Sequence, residues 1–276
     1  MFRMLICSLI LLLNCFRAAA EQPELNVAIG DNSTNVLAQS LLFTQFTKQT
    51  GIKINRHRLA DIKQLDIDKN WYTHSGKPLD VIFGQISYRL LNYHQQGKLL
   101  ELTDFWQQNK LDRSFSHLKS ATTQQGKILG LPFNLVHDFK REQHISDTDF
   151  FAFPKIAEIK RFESVPINAI HVSALGNNQQ SALKLLAFLA KAKSQEKLTQ
   201  PIGTIAANKN ARLPQHPFAK KLVPHVFKAY GTSNFFDRST KPEFEIEARP
   251  LFTQFMRTGN IQTFVEQMEA LRVKHF

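Results

Sequence analysis

Cysteine is nearly absent from this chain of 276 residues. The two that occur, Cys7 and Cys15, both lie within the first 20 residues. If that segment were removed, the remaining 256 residues (276 less 20) would contain no thiol. Disulfide bonds, thiolate metal sites and cysteine nucleophiles would then all be excluded. We expect the fold to depend on its apolar core, and the length suits one large domain or two small ones.

Long apolar runs are also lacking. The run Leu5–Leu13 is too short to cross a bilayer, and no later segment approaches the roughly 20 apolar residues that a transmembrane helix needs. Arg3 precedes this run, and the small residues Ala18–Ala20 follow it, before the polar Glu21. This arrangement is typical of a secretory signal peptide. It predicts export to the periplasm with cleavage after residue 20.

Cys15 raises the alternative of a lipid-anchored protein. Asn14 before it and Phe16 after it are bulkier than the neighbours that lipid-attachment sites usually have. The sequence therefore favours cleavage after Ala20, which would leave residue 21 as an unlipidated N-terminus.

Acidic residues are the minority charge, at 23 against 35 basic residues. Removal of Arg3 and Arg17 with the signal peptide would leave 33 basic residues and a net charge of +10. A basic surface favours anionic partners. The basic residues are dispersed, and an exported protein does not meet nucleic acid, so we expect no nucleic-acid partner. A solvated basic surface is the interpretation we adopt, with an anionic polysaccharide or membrane surface as the alternative.

Catalytic motifs are lacking as well, since the chain has no G-x-S-x-G, no recognisable triad and no phosphate-binding loop. The one local cluster of potential metal ligands contains His137, Asp138, His144, Asp147 and Asp149. It has neither H-x-H nor H-E-x-x-H spacing, so we interpret it as a polar loop rather than a metal site. We predict no enzyme activity, no metal and no cofactor.

Strand and helix patterns alternate over the N-terminal third. Strands are predicted at Leu25–Ile29, Ile52–Asn55 and Val81–Phe83, and a helix at Ser87–Gln96. Another helix, which Thr34 can cap and Gly51 can end, is predicted to pack through Leu37, Leu41, Leu42 and Phe46. This order predicts an α/β fold with a mostly parallel sheet covered by helices. Ligands of such sheets bind beyond the carboxyl ends of the strands.

The C-terminal half is predicted to be mainly helical. Asn178–Lys193 has a strong amphipathic pattern, and Ser194 is a suitable cap for the helix that follows. From Pro217 onward the pattern is almost wholly helical, and Pro224 and Pro250 are expected to kink or divide their helices. Phe264, Met268 and Leu271 form the expected core stripe of the last helix.

Several stretches, taken in order, resemble one family. Asp80–Trp106 has a strand, a turn, a helix and then a G-x-L-x-x-L phrase. Gly126–Asn134 resembles a D-G-K-x-Y-G-L-P strand, and Phe150–Ile156 resembles an F-F-P-F-P turn. His171–Leu198, Asn234–Phe244 and the final FVEQMEALRVKHF are similar to later helical segments. Together they resemble the maltose-binding-like, family 1 solute-binding proteins of ABC sugar importers.

The middle of the chain departs from that family. A long αβ segment should lie between the strand ending near Asn134 and the turn at Phe150, but only about 15 residues intervene, fewer than the roughly 30 of one strand–helix–strand unit. The resemblance therefore implies a periplasmic binding protein-like (type II) α/β fold with one complete αβ lobe, residues 21–134 plus 168–212. The second lobe, residues 135–167 plus 213–276, is expected to be reduced and mainly helical.

The resemblance also implies a ligand site, a saccharide ligand and ABC permease subunits as partners. The implied ligand-binding residues are Asp31, Asn32 and Ser33 after the first strand; Gln85 and Ser87 after the third; Phe133 and Asn134; and Phe235 and Asp237, with Phe236, from the C-terminal part. The alternatives are that the first three are turn and cap residues and that the two phenylalanines Phe235 and Phe236 belong to the core. Better-known sugar binders of the family have aromatic and charged residues where this chain has Gly84 and Ser87. Trp71 and Tyr72 could offer a stacking face instead, whereas Trp106 is expected to pack in the core.

Two further functions remain open at this point. A shortened binding module could dock on a sensor kinase or another periplasmic protein, and would then expose an apolar patch where the missing lobe would have packed. A degenerate paralogue would bind no ligand at all.

Overall fold

The structure is a computed structural model that describes residues 23–29, 33–58, 71–135, 157–215 and 217–276. The expected signal peptide, the His137–Asp149 cluster and the Phe150–Ile156 turn lie outside the described residues, as do Asp31 and Asn32.

Elements of the first part alternate as expected. The strands are β1 (Glu24–Ile29), β2 (Lys53–Arg58), β3 (Val81–Gln85), β4 (Thr123–Gln124), β5 (Lys127–Ile128) and β6 (Leu131–Leu135). The helices are α1 (Ser33–Thr50), α2 (Arg89–Gln95), α3 (Thr103–Gln108), α4 (Asp112–Phe115) and α5 (Lys119–Thr122).

The later elements are more helical. They comprise β7 (Phe162–Ser164), β8 (Ile167–Val172), α6 (Gln179–Leu189), α7 (Ala192–Thr199), β9 (Ile205–Ala206), α8 (Pro217–Lys228), β10 (Gly231–Ser233), α9 (Phe236–Ser239), α10 (Pro242–Thr258) and α11 (Ile261–His275). The expectation that the chain from residue 217 is almost wholly helical is thus met apart from β10 and the short links between the helices. Pro224 and Pro250 lie inside helices that they do not divide.

Six strands form the main sheet in the order β2-β1-β3-β8-β6-β9. β1 pairs in parallel with β2 and β3, but β8 pairs antiparallel with β3 and β6, and β9 antiparallel with β6. The prediction of a mostly parallel sheet is therefore wrong, because the sheet is mixed. The chain leaves the sheet at Leu135, the carboxyl end of β6, and re-enters at that same edge at Ile167, so β8 must run in the opposite direction.

Helix α1 packs on this sheet through a different stripe from the one predicted. Leu42 and Phe46 are buried as expected, together with Ala38, but Leu37 and Leu41 are about two-thirds exposed at 66% and 65%. The buried residues 38, 42 and 46 are spaced by four, so the side chains one position earlier are rotated by roughly 100° toward the outer flank. Helix α1 ends before Gly51, whose φ of 75° is the left-handed conformation of a helix C-terminus.

Helices α6 and α7, which come from the C-terminal half of the chain, pack on the sheet. The predicted stripe of Ala182, Leu185, Leu186 and Leu189 is fully buried. Helix α7 begins at residue 192, so Ser194 lies inside it rather than at its cap.

Helices α10 and α11 form a hairpin at the end of the chain, which we call the C-terminal hairpin. Phe264 packs against Phe252 and Phe255, with ring centroids 5.2 and 5.0 Å apart. Phe264, Met268 and Leu271 do form the inward side of α11, but they are only half-buried, and no residue of α11 is buried. Among the described helices, none is both long and apolar enough to span a membrane.

Candidate functional site

Strand β3, strand β8 and the segment around α9 meet at one point. The backbone N–H of Ile86 donates to the Ile167 carbonyl at 3.1 Å, and the N–H of Ile167 donates to Asn234 Oδ1 at 3.1 Å. The N–H of Tyr88 donates to the Arg238 carbonyl at 2.7 Å. We call this meeting point, Gln85–Tyr88 with Ile167, Asn168 and Asn234–Ser239, the Ser87 junction. It joins the carboxyl end of β3 to the C-terminal part of the chain.

A row of amide side chains crosses the sheet beside this junction. In the strand register, Gln85 lies opposite Asn168, and Asn168 lies opposite Asn134. Side chains directly opposite each other share one face of a sheet and lie about 5 Å apart. Gln85 is exposed, Asn168 is half-buried and Asn134 is buried. The row therefore runs from an exposed side chain on β3 to a buried side chain on β6.

Asn134 is only partly satisfied in this row. Its Nδ2 donates to Thr204 Oγ1 at 3.1 Å, but its Oδ1 is buried and accepts no hydrogen bond from the described residues. A buried polar atom without a partner is rare in native proteins. A ligand hydroxyl is a donor of the kind that this oxygen lacks.

Gln124 contributes a second atom of this kind, which the sequence did not indicate. Its Nε2 donates to the Ser87 carbonyl, while its Oε1 is buried and accepts from no described donor. Gln124 lies at the end of β4, and nothing in the local pattern distinguishes it from a turn residue. Asn168 was missed as well, although a polar residue at the start of the apolar strand INAIHV was a usable signal.

Phe133 belongs to the core rather than to an open surface. Its ring is buried, with its centroid 5.3 Å from that of Phe83, which in turn lies 6.1 Å from Phe43. The pairing of β6 with β8 shifts register between Pro132 and Asn134, which makes Phe133 an extra residue in the strand. The bulge lets Phe133 face the core while Asn134 keeps its place in the amide row.

Phe235 and Phe236 are not buried, so the expectation that both rings serve the core is wrong. They are 46% and 41% exposed. Phe236 packs at its edge on Phe244 and Phe252, whereas the Phe235 ring lies 5.8 Å from the guanidinium carbon of Arg238. Phe235 directly precedes α9, and Phe236 is its first residue.

The structure says less about four other predicted positions. Asp31 and Asn32 lie outside the described residues. Ser33 is the first residue of α1, so the helix begins before the predicted cap Thr34. Asp237 lies in α9, one residue before Arg238 at the Ser87 junction.

The tryptophans are structural. Trp71 is buried and packs edge-on against Tyr93 at 5.5 Å, so the stacking face suggested for it is excluded, while Tyr72 beside it is 45% exposed. Trp106 is buried as expected, and its Nε1 donates to Asp112 at 3.1 Å.

Packing explains why position 84 is a glycine, which departs from the family pattern. The ring of His171 lies across the sheet so close to Gly84 and Gly130 that added Cβ atoms would stand 3.3 and 2.7 Å from it. His171 Nδ1 is 2.8 Å from the Leu129 carbonyl, and burial lowers the pKa of the imidazole. A neutral histidine therefore occupies the space that a larger residue at position 84 would need.

Metal binding finds no support in the described part of the chain, where no three His, Cys, Asp or Glu side chains are grouped to hold an ion.

Comparison with known proteins gives a fold without a sequence family. No protein-family model and no curated protein matches the chain. Among solved structures, the chain is similar to the bacterial solute receptor AcbH, described as preferring β-D-galactopyranose exclusively, with a TM-score of 0.73, 13% identity and coverage of 92% of this chain and 97% of that one.

Two further structures are similar to the chain. One is the maltodextrin-binding protein MalE1 from L. casei BL23 without ligand, with a TM-score of 0.66, 13% identity and coverage of 91% and 98%. The other is an extracellular solute-binding protein from Staphylococcus aureus in complex with maltose, with a TM-score of 0.64, 11% identity and coverage of 91% and 97%. The expected periplasmic-binding-protein-like α/β fold is thereby confirmed.

Proposed function

We propose that this protein is an exported receptor that binds a carbohydrate and delivers it to an ABC importer. Three proteins of the same fold, AcbH and the receptors from L. casei and S. aureus, are described by the saccharides galactopyranose, maltodextrin and maltose. The proposal assigns the chain no catalytic role, no metal and no cofactor.

One observation carries the proposal for this chain in particular. The hydrogen bond from Tyr88 to Arg238 brings the turn after β3 against α9, so residues from distant parts of the sequence share one site. Gln85, Ser87, Asn134 and Asp237 are the polar contacts that we assign to the ligand, and Asn168 joins them. Amide groups arranged in a row suit the hydroxyls of a sugar ring, which donate and accept in fixed directions.

The proposed lobes are those expected from the sequence: residues 21–134 with 168–212, and a reduced lobe of residues 135–167 with 213–276. Ligand binding would close them about the strands that connect them, as in other hinged receptors. Signal cleavage after Ala20 and contact with the permease subunits belong to the same proposal.

A second candidate function has one observation in its favour. The C-terminal hairpin exposes Ile246, Met256, Ile261, Val265 and Val273, all at more than half of their surface. Exposed apolar side chains of this number are typical of contact surfaces. They favour a binding module that docks on the periplasmic domain of a sensor kinase. If a saccharide binds the Val265→Ser variant with the same affinity as the wild type, its binding does not depend on that surface.

The test is a thermal-shift screen of residues 21–276 against galactose, maltose, maltodextrins and other oligosaccharides, followed by calorimetry on the hits. We expect weak binding, near millimolar, because the reduced lobe loses contacts that a complete cleft would supply. Gln85→Ala and Asn134→Ala should weaken that binding. A sub-micromolar saccharide that both variants bind unchanged would refute the site and the expected weakness.

A further inference from the structure

Arg238 is held in place at the Ser87 junction by its backbone. Its N–H donates to the Phe235 carbonyl at 2.9 Å, and its carbonyl accepts from the N–H of Tyr88 at 2.7 Å. Two anchored backbone groups fix where its Cβ points. The side chain of Arg238 therefore starts from a fixed position at the Ser87 junction.

One nitrogen of the guanidinium at the end of that side chain has no acceptor among the described residues. Nη1 of Arg238 is buried, and it donates to no atom of the described residues. The ring of Phe235 lies 5.8 Å from its guanidinium carbon. Such a ring stabilises the positive charge, but it does not replace a carboxylate as the acceptor of an N–H hydrogen bond. A buried cationic donor without a partner is unfavourable. An anionic acceptor would remove that penalty.

The polar atoms nearby have the opposite requirement. Oε1 of Gln124, whose Nε2 is bound to Ser87, is buried without a donor, and so is Oδ1 of Asn134 in the amide row. The Ser87 junction, together with Gln124 and Asn134, thus presents one unpaired cationic donor and two unpaired acceptors. A hydroxyl donor would satisfy either acceptor, and a carboxylate would satisfy the cationic donor.

We propose that the Ser87 junction binds an acidic saccharide, a sugar that carries a uronate carboxylate, and that Arg238 pairs with the carboxylate. The inference rests on the proposed function, since it names the chemical class of ligand for the same site. A fork of two parallel N–H donors is the geometry in which guanidinium binds carboxylate. The net charge of +10 that remains without the first 20 residues adds a general attraction for anions.

Two pairs of sugars test the proposal by calorimetry: D-galactose with D-galacturonate, and D-glucose with D-glucuronate. The members of each pair differ only at C6, which is a hydroxymethyl group or a carboxylate. We expect one uronate to bind roughly tenfold to a hundredfold more tightly than its neutral partner, as charge-assisted hydrogen bonds allow. The preference should shrink as salt is raised.

Variants of Arg238 assign the effect. Arg238→Gln should abolish the preference for the uronate over its neutral partner, and Arg238→Lys should keep part of that preference because the charge remains without the fork. Arg257→Gln, at an exposed position in the C-terminal hairpin, removes the same charge and should change nothing. Equal urea midpoints of the variants would show that they fold alike.

Three results would overturn the inference. A neutral sugar that binds as tightly as its uronate, or a preference that survives in Arg238→Gln, contradicts it while the proposed function stands. Acetate or sulfate that competes as well as the uronate would reveal a plain anion site. Failure of every saccharide, neutral or acidic, to bind the wild type would remove the proposed function as well.

Discussion

The helices that pack on the sheet and the helices of the C-terminal hairpin have similar amphipathic sequences, yet they bury very different numbers of side chains. Helix α6 buries Leu185, Leu186 and Leu189 completely against the sheet, whereas α11 buries no residue. Helix α6 lies on a six-stranded sheet, but α10 and α11 have mainly each other to pack against. Apolar pattern determines which side of a helix can be buried, and the opposing layer determines whether it is buried.

The largest difference should appear when one leucine is truncated in each region. Leu186→Ala should lower the free energy of unfolding by about 2–5 kcal/mol, because it opens a cavity in a fully buried layer. Leu271→Ala, in the half-buried stripe of α11, should lower it by less than about 1 kcal/mol. Urea denaturation of the two variants measures both values. Equal losses would mean that the hairpin is packed as tightly as the sheet.

Acid should weaken the region around the sheet before it affects the hairpin. Burial, with the charge of Lys209 in addition, lowers the pKa of His117 from 6.5 to about 4. In this pH range His117 binds a proton in the unfolded chain but not in the folded one. The free energy of unfolding therefore falls as the pH falls from 6.5 toward 4, by up to on the order of 3 kcal/mol. His117→Phe should reduce this dependence in urea titrations at pH 7 and pH 5, and the remainder is expected from His171, whose pKa burial also lowers.

The hairpin has a different pH window. Hydrogen bonds from Lys274 and Arg272 lower the pKa values of Glu247 and Glu269. Their stabilisation is present above the ordinary carboxylate pKa of 4.5 and is lost only below it. A loss between pH 6.5 and 5 that persists unchanged in His117→Phe would contradict the assignment to that histidine.

A methyl group added beneath His171 should have a smaller effect. In Gly130→Ala the new Cβ would stand 2.7 Å from Cε1 of His171 and 2.8 Å from its Nδ1. We expect a loss of about 1–3 kcal/mol from overpacking. The double variant Gly130→Ala, His171→Ala should lose less than the two single variants together, because the methyl group then enters the space of the missing ring. Strict additivity would show that the two sites do not touch.

The smallest effect is expected at an ion pair of the hairpin. Lys274 contacts both carboxylate oxygens of Glu247 at 2.8 and 2.7 Å, but both side chains are exposed. Lys274→Gln should leave the urea midpoint unchanged within error, because solvent screens such pairs. A clear loss would show that the hairpin depends on charges rather than on its half-buried phenylalanines.

Local patterns predicted most elements of both regions but not their partners. The strand Leu25–Ile29 and the stripe of α6 follow from periodicity alone. The direction of β8 does not, because it depends on where the chain re-enters the sheet after residue 157. Leu37 and Leu41 were assigned to the wrong side of α1 because that helix has apolar residues on two adjoining flanks. The sequence alone does not reveal which flank meets the sheet.

The candidate site shows the same limit. Gln85 and Asn134 were predicted from the family resemblance. Asn168 lies opposite both only through strand register, and Gln124 reaches Ser87 only through a long-range hydrogen bond. Arg238 carried no signal in the sequence, because an unpaired guanidinium nitrogen is a property of the packing around it.

The central claim is that a saccharide binds where the sheet meets α9 and not on the C-terminal hairpin. Hydrogen–deuterium exchange, with and without the sugar that stabilises the protein most, tests this directly. We predict slower exchange in the peptides that contain Ile86–Tyr88, Ile167 and Arg238, and no change in Ile261–His275. Protection confined to the hairpin, or none at the Ser87 junction while the sugar is bound, would contradict the account.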